Sequence, residues 1–339
     1  MNIYVLSTVE VGTDIINVLK NQLNINGIIG LKNQESSDDI SGYYYMENYC
    51  KANSIPFIEV QNYSLKSEVD KTLLQSLNID ILIVAGWQRL IPQWLITQCK
   101  ICVIGGHGSP YGIAGGRGRS PQNWSIILNK KEFFISIFKI DEGIDSGDII
   151  DEKEFEISPF DDIESSYNKV CWLTSQMIID CIQSKKITSG KLIAQDANPR
   201  YFPQRLPEDG QIDWNRTDTD IYNFIRALTK PYPGAFSYLN GGKLIVWSAK
   251  PFAVFTTKKY SPGQIVKKYT NGKLLVSTLN GFVQIDNYTF KSSSEKETVS
   301  IEEGMMLESA DFKQQMKNIV DRHEKKYPEL KIAEDILSL

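Results

Sequence analysis

Groups able to do chemistry gather in three short stretches. In the run from Ile101 to Trp124, ICVIGGHGSPYGIAGGRGRSPQNW, an apolar segment, Ile101 to Ile104, ends at Gly105-Gly106 and His107 follows at once. A histidine there either ties down a turn or faces a ligand. Glycines beside it let a backbone or a ligand come close, which favours the second reading. The other histidine, His323, sits in the charged run DRHEKK and reads as a solvated helix residue. The second stretch, Asp141 to Asp148, is DEGIDSGD, with four acids and two glycines. It reads either as a solvated acidic turn or as the source of a carboxylate facing His107. Such a carboxylate, for which Asp145 is suited, would fix the tautomer of the imidazole and favour its protonated form. A calcium loop is not indicated, because the spacing departs from the EF-hand pattern and no helix precedes it. The third stretch, Gly86-Trp87-Gln88-Arg89-Leu90-Ile91-Pro92, follows the apolar run DILIVA. It is either a plain connecting loop or one wall of a pocket for a flat aromatic ligand.

Elements must bring these stretches together. Ile3 to Leu6, Ile28 to Leu31, Pro56 to Ile58, Asp80 to Ala85 and Ile101 to Ile104 read as strands. Between them, Ile15, Ile16, Leu19 and Leu23, then Tyr43 to Cys50, then Leu65, Val69, Leu73 and Leu77 read as helices. Alternation of this kind predicts an α/β chain with a Rossmann-like, mostly parallel sheet, whose ligands sit at the carboxyl ends of its strands. The first turn, Thr8-Val9-Glu10-Val11-Gly12, lacks GxGxxG and carries an acid where a pyrophosphate would lie, which argues against a dinucleotide. Ser120-Pro121 reads as a helix start, with Ser at the N-cap and Trp124, Ile127 and Leu128 on the apolar face. Phe133 to Lys139 is a strand, and Asp161 to Ser184 a long helix burying Val170, Leu173, Met177 and Cys181. The expected organisation is a catalytic domain 1–185, a linker 186–210, an OB-like small β-barrel 211–290 with short strands and Asn-Gly turns, and a tail 291–339. In the tail, Phe312, Met316, Ile319 and Val320 mark an amphipathic terminal helix, placed either to make a homodimer or to cover the second domain.

Composition excludes little. Apolar residues make up 42% and charged residues 23% of the 339, with a net charge of −4, ordinary values that give no reason to expect a nucleic-acid binder. The cysteines, Cys50, Cys99, Cys102, Cys171 and Cys181, lie mostly in apolar stretches and read as buried free thiols. The CxxC spacing of Cys99 and Cys102 has no second pair, so no metal is expected. The opening MNIYVLSTVEVG lacks the features of a signal peptide and no run reaches membrane-spanning length, so the expected location is cytoplasmic.

The three stretches, in this order and spacing, resemble the N10-formyltetrahydrofolate-dependent formyltransferases, which include the methionyl-tRNA, glycinamide ribonucleotide and nucleotide-sugar enzymes. That family carries Asn-x-His-x-Ser-Leu-Leu-Pro, then Arg-Gly-x-x-Pro, then Asp-x-Gly-x-Asp-x-Gly. Here His107-Gly108-Ser109, Arg117-Gly118-Arg119-Ser120-Pro121 and Asp141 to Gly147 match those segments. PEDGQIDW and KPYPGAFSYLNGGKLIVWSA, beyond Leu206, resemble the C-terminal OB-like domain of the tRNA and sugar enzymes. The resemblance implies His107 and Asp145 as catalytic residues. It implies a formyl donor, N10-formyltetrahydrofolate, between Gly86, Trp87, Arg89 and Leu90 on one side and Asp141, Glu142, Gly143 and Ile144 on the other. No metal is implied. The chain departs from the pattern twice: Gly105 stands where the family has its oxyanion-stabilising asparagine, and a glycine-rich segment replaces Leu-Leu-Pro. A backbone N–H at Gly106 or Gly108, or Ser109, is expected to replace the lost donor.

The acceptor follows from the same resemblance. The second domain sets the chain apart from the glycinamide ribonucleotide enzymes. Tyr201-Phe202-Pro203-Gln204-Arg205 resembles the sugar enzymes, and the acidic balance points away from tRNA, so the expected partner is a nucleotide-linked amino sugar, a surface-glycan precursor of perosamine or pseudaminic type, with no nucleic acid and no membrane. Ser109, Arg117, Arg119 and Tyr201 are expected to bind it; the arginines either pair with its diphosphate or are solvated residues of a loop. The alternatives are a methionyl-tRNA formyltransferase and a folate- or sugar-binding homologue without catalysis.

Overall fold

The computed structural model describes residues 1–33, 40, 42–292 and 300–339. Residues 293–299 of the expected tail lie outside the described residues. The chain divides into two compact units. Met1–Arg117, Glu132–Glu156 and Tyr167–Pro199 form the first, and Gly118–Lys131, Ile157–Ser166 and Arg200–Leu339 the second.

The strands are β1 (Ile3–Leu6), β2 (Ile25–Leu31), β3 (Phe57–Val60), β4 (Ile81–Val84), β5 (Cys102–Ser109), the two-residue β6 (Arg117–Gly118), β7 (Glu132–Lys139) and β8 (Ile149–Glu156). Then come β9 (Tyr201–Phe202), β10 (Ala235–Leu239), β11 (Gly242–Pro251), β12 (Ile265–Lys268), β13 (Leu274–Ser277) and β14 (Phe282–Lys291). The helices are α1 (Glu10–Leu19), α2 (Glu47–Ala52), α3 (Glu68–Gln75), α4 (Gln93–Gln98), α5 (Gly112–Gly115) and α6 (Pro121–Ile127). They continue with α7 (Ile163–Gln183), α8 (Lys186–Ser189), α9 (Asp218–Leu228), α10 (Phe312–Lys326) and α11 (Glu334–Leu337).

In the first unit, seven described strands form one sheet in the order β3-β2-β1-β4-β5-β7-β8. The first five are parallel, β7 is antiparallel to β5, and β8 is antiparallel to β7. Alternate side chains feed two cores, which is why the strands read as unbroken apolar runs. Ile81, Ile83, Cys102 and Ile104 pack with Ile16 and Met177 on one face, and Leu82 and Val103 pack with Leu95 on the other. All five cysteines are buried free thiols. Burial pushes the thiols of Cys99, Cys102, Cys171 and Cys181 up to about 12. No helix among the described residues is long and apolar enough to cross a membrane.

The second unit carries an OB-like antiparallel sheet in the order β10-β11-β14-β13-β12. Helix α6 lies in this unit. Its Trp124 is fully buried and donates from Nε1 to the Pro203 carbonyl at 2.8 Å, and the Arg205 guanidinium stacks on both Trp124 and Phe224. Ser120 precedes the helix as expected, but its φ of 59° is left-handed and its hydroxyl caps nothing; Pro121 at the first position makes the start. The terminal helix α10 covers this unit, with Phe312 edge-on to Phe224 and Arg322 paired with Asp209 at 2.6 Å. His323 is not solvated: it is 8% exposed, against Tyr327 and 3.2 Å from the Leu330 carbonyl.

The helical face expected from Leu65, Val69, Leu73 and Leu77 is also corrected. Val69 is 67% exposed, whereas Asp70 and Leu74 are fully buried. The Asp70 carboxylate accepts hydrogen bonds from Gln61 N at 2.6 Å, Asn62 N at 2.9 Å and the Ser67 hydroxyl at 2.7 Å, so burial here follows hydrogen bonding rather than apolar periodicity. The loop it pins carries Tyr63, whose ring meets Trp87 edge-on at 4.7 Å and whose hydroxyl accepts from Gln88 N. Asp70→Ala removes the acceptor of two part-buried backbone donors, and we expect a loss of about 1–3 kcal/mol of stability, measured by urea denaturation.

Candidate active site

Strand β5 outruns its neighbour. It pairs with β4 only over Cys102 to Ile104, while its pairing with β7 runs from Ile104 to Ser109. Gly105, Gly106 and His107 are therefore strand residues, and the strand runs on past the glycines at which its apolar run ends. One edge is held by β7, and the other is left open beyond the end of β4. A cleft of about 240 Å³ occupies that opening. Gly86, Trp87, Arg89, Leu90 and Ile91 line one side, Gly105 and Gly106 the floor, and Phe138, Ile140, Gly143 and Asp145 the other. Gly86 has a φ of +85°, and a Cβ there would stand 2.2 Å from Val9, so the turn off β4 requires glycine.

His107 faces Ser136 of β7 in the sheet register. Its Nε2 lies 2.8 Å from the Gly116 carbonyl and its Nδ1 3.5 Å from the Asp145 carboxylate. A carbonyl can only accept, so Nε2 carries the hydrogen and Nδ1 is the atom left to take a proton. The imidazole is 10% exposed and Asp145 24%. Asp145 itself has a φ of 50°, in the left-handed region.

The remaining expected residues divide. Gly86, Trp87, Arg89, Leu90 and Gly143 line the cleft; Glu142 is exposed and Ile144 half-buried. Asp141 holds its own loop, accepting from Gly143 N at 3.1 Å and from the Ser146 hydroxyl at 2.6 Å. Ser109 is fully buried, its hydroxyl donating to the Gly112 carbonyl and accepting from Tyr111 N, so it is spent on the turn that leads into α5. Arg117 is 6% exposed, and its Nε and terminal nitrogen both donate to Gln195 Oε1, at 3.1 and 2.7 Å. Arg119 and Tyr201 belong to the second unit, Arg119 exposed and Tyr201 buried. Gln195 was not anticipated: it falls in the 186–210 stretch, whose composition reads as a linker. Its long-range partners leave no mark in local sequence. Among the described residues no group of three His, Cys, Asp or Glu side chains could hold a metal ion.

Residues 9–182 match the formyl transferase family model, and residues 206–305 match the model of the formyl transferase C-terminal domain. The chain belongs to the formyl transferase family, a family of enzymes. Among curated relatives, the bifunctional polymyxin resistance protein ArnA of Wigglesworthia glossinidia brevipalpis is 34% identical over 180 residues, 52% of this chain and 27% of that protein. The methionyl-tRNA formyltransferase of Ruminiclostridium cellulolyticum is 31% identical over 65% of this chain and 70% of its own. Among solved structures, Aquifex aeolicus HypX in complex with tetrahydrofolic acid has a TM-score of 0.60 at 18% identity, over 85% of this chain and 44% of that one. The sugar 3N-formyltransferase WlaRD, solved with dTDP and 5-N-formyl-THF, has a TM-score of 0.57 at 19% identity, over 84% and 96%. These structural likenesses describe the fold.

In this formyl transferase the space above Gly105 is filled. A Cβ at Gly105 would lie 2.9 Å from Ile140 and 3.0 Å from the Phe138 ring, so the asparagine of the family motif would require these side chains to shift. Ser109 does not stand in for it, because its hydroxyl is already engaged at both ends. Overpacking then predicts that Gly105→Asn costs about 1–3 kcal/mol, and that Ile140→Ala introduced beside it recovers part of that loss relative to Ile140→Ala alone. Chemical denaturation of the four proteins of the cycle measures both.

Proposed function

We propose that the protein transfers a formyl group from N10-formyltetrahydrofolate to the amine of a nucleotide-activated amino sugar. The observation that carries the transfer chemistry is the His107–Asp145 pair at the rim of a cleft whose walls suit a flat heteroaromatic ring. Trp87, Leu90, Phe138 and Ile140 supply apolar surface, and the buried Trp87 Nε1 has no hydrogen-bond partner among the described residues. A ring system with acceptor atoms would satisfy that donor. Bound there, the donor supplies a formyl carbon already activated by its nitrogen.

The chain's own groups then handle the proton. An amine attacking the formyl carbon becomes acidic as its nitrogen gains positive charge. Nδ1 of His107 is placed to take that proton, directly or through Asp145. The resulting imidazolium is held from both sides, by the Asp145 carboxylate on Nδ1 and the Gly116 carbonyl on Nε2, and its Nδ1 proton would pass to the donor nitrogen as the bond between that nitrogen and the formyl carbon breaks. Negative charge developing on the formyl oxygen has backbone N–H groups of β5 as its nearest family-motif neighbours, since Gly105 offers no amide side chain.

Support for the sugar acceptor comes from the ligands of the fold relatives. WlaRD is described with dTDP, and the Helicobacter canadensis N-formyltransferase with folinic acid and dTDP-3-aminofucose. A specific observation favours a second acceptor. Residues 230–292 hold nine lysines and one acid, Asp286, so the mean charge of −4 conceals a basic C-terminal sheet. Lys230 lies over Trp247, Lys243 over Phe236 and Lys258 over Tyr260, a basic and aromatic surface of the kind that suits nucleic acid. Methionyl-tRNA formyltransferases are also among the curated relatives.

One experiment separates these readings. The protein is incubated with N10-formyltetrahydrofolate, a panel of nucleotide-linked amino sugars and aminoacylated initiator tRNA, and products are read by mass spectrometry. The expected result is a formyl mass gain on a sugar, reduced about 10²–10⁴-fold in His107→Ala. A gain on tRNA alone, with binding that falls steeply as salt rises, overturns the sugar reading. Folate binding without a gain on any acceptor overturns transfer to both.

A further inference from the structure

Gln195 uses its whole amide. Its oxygen accepts two hydrogen bonds from Arg117, at 3.1 and 2.7 Å, and its nitrogen donates to the carbonyls of Asp145 at 2.9 Å and Gly147 at 2.6 Å. Both carbonyls belong to the loop that presents Asp145 to His107. Arg117 directly follows Gly116, whose carbonyl holds the opposite nitrogen of the same imidazole. The contacts therefore close on themselves. From His107 Nε2 the path runs to Gly116, along the chain to Arg117, across to Gln195, on to the Asp145 backbone, and from its carboxylate back to His107 Nδ1.

We infer that Gln195, clamped by Arg117, is a positioning residue that sets the Asp145 carboxylate against His107. Two features show why a clamp is needed. Asp145 holds a left-handed φ of 50°, a conformation that costs free energy for a residue with a side chain and persists only where neighbours enforce it. Gly147 lies so close to Lys139 that a Cβ would stand 1.7 Å from the Lys139 carbonyl oxygen, so the loop is pressed onto β7 with no slack to recover a lost contact. Arg117, on this inference, is a structural cation of the site rather than a phosphate ligand. The catalytic consequence rests on the transfer reading above; the geometric one does not.

The test uses the full chain, labelled with 15N-histidine. His107 and His323 are the only histidines, and His107→Gln assigns the signals. Gln195→Glu keeps the oxygens that face Arg117 but replaces the two donors to Asp145 and Gly147 with an acceptor. Arg117→Lys loosens the ring from its other side. In both variants the His107 nitrogen shifts are expected to move towards a mixture of tautomers while those of His323 stay in place. Donor-saturated turnover should fall about 10–100-fold with KM for the donor changed by less than about threefold, because geometry and not binding is lost. Unchanged His107 shifts in cooperatively folded Gln195→Glu overturn the inference, even if its melting temperature is lower. Shifted His107 signals in a protein whose wild type transfers no formyl group uphold the clamp and overturn the transfer reading.

Discussion

Beyond Ile104 β5 has one neighbour, β7, and the site depends on this. Antiparallel pairing with β7 carries the backbone on to Ser109 with its hydrogen bonds satisfied, while the end of β4 frees the other edge. An unpaired edge in the middle of a sheet is costly unless something covers it. Here the Gly86 to Ile91 segment turns away from β4 and leaves a cleft in the space that a longer β4 would fill. The change from parallel to antiparallel neighbours thus creates the opening and holds His107 on a strand, one residue beyond the Gly105-Gly106 floor. Its ladder pairing with β7 limits how far the backbone beneath the imidazole can wander relative to Asp145.

Rigidity at that point has a reason in the proton chemistry. At 3.5 Å the His107–Asp145 contact is looser than a short charge-assisted hydrogen bond. It becomes a full ion pair only when both ring nitrogens carry hydrogen, because Nε2 is committed to Gly116. A proton arriving at Nδ1 therefore finds an acceptor already in place. Exposure of 10% keeps bulk water from competing strongly for that proton. The glycine-rich segment that replaces the family's Leu-Leu-Pro matters for the same reason. It brings the Gly116 carbonyl back to the imidazole and leaves Arg117 buried one residue later.

Much of this was legible in the sequence wherever the signal was local. The alternation of apolar runs with helical spacing gave the parallel sheet and its two cores, because burial on both faces leaves a continuous apolar trace. The pairing of His107 with Asp145 was legible through motif order. What failed did so for physical reasons that single-chain periodicity cannot carry. The apolar run of β5 ends at Gly105-Gly106, but the strand continues through the glycines, and at 105 and 108 Phe133, Phe138 and Ile140 crowd the two faces. The spacing of Leu65, Val69, Leu73 and Leu77 could not mark Asp70 as the buried residue of α3, since its partners are backbone donors before the helix. His323 looked solvated because its run is charged, although the chain folds Tyr327 and Leu330 back over it.

Charge shows the same limit of averages most clearly. A net −4 spread over 339 residues suggests a mildly acidic surface, yet nine of the lysines fall in a 63-residue stretch with a single acid. Two of them, Lys250 and Lys273, are drawn to Asp286, and Lys267 is paired with Glu303 from outside the stretch. Others lie over aromatic rings, where a cation keeps its charge while shielding apolar surface. The remaining excess sets a positive field over one unit, whose strength at a distance of some 10 Å depends on ionic strength. A small sugar nucleotide and a transfer RNA are both anions and would both be drawn to it. They differ in how many phosphates each can bring, and so in how sharply salt weakens the attraction.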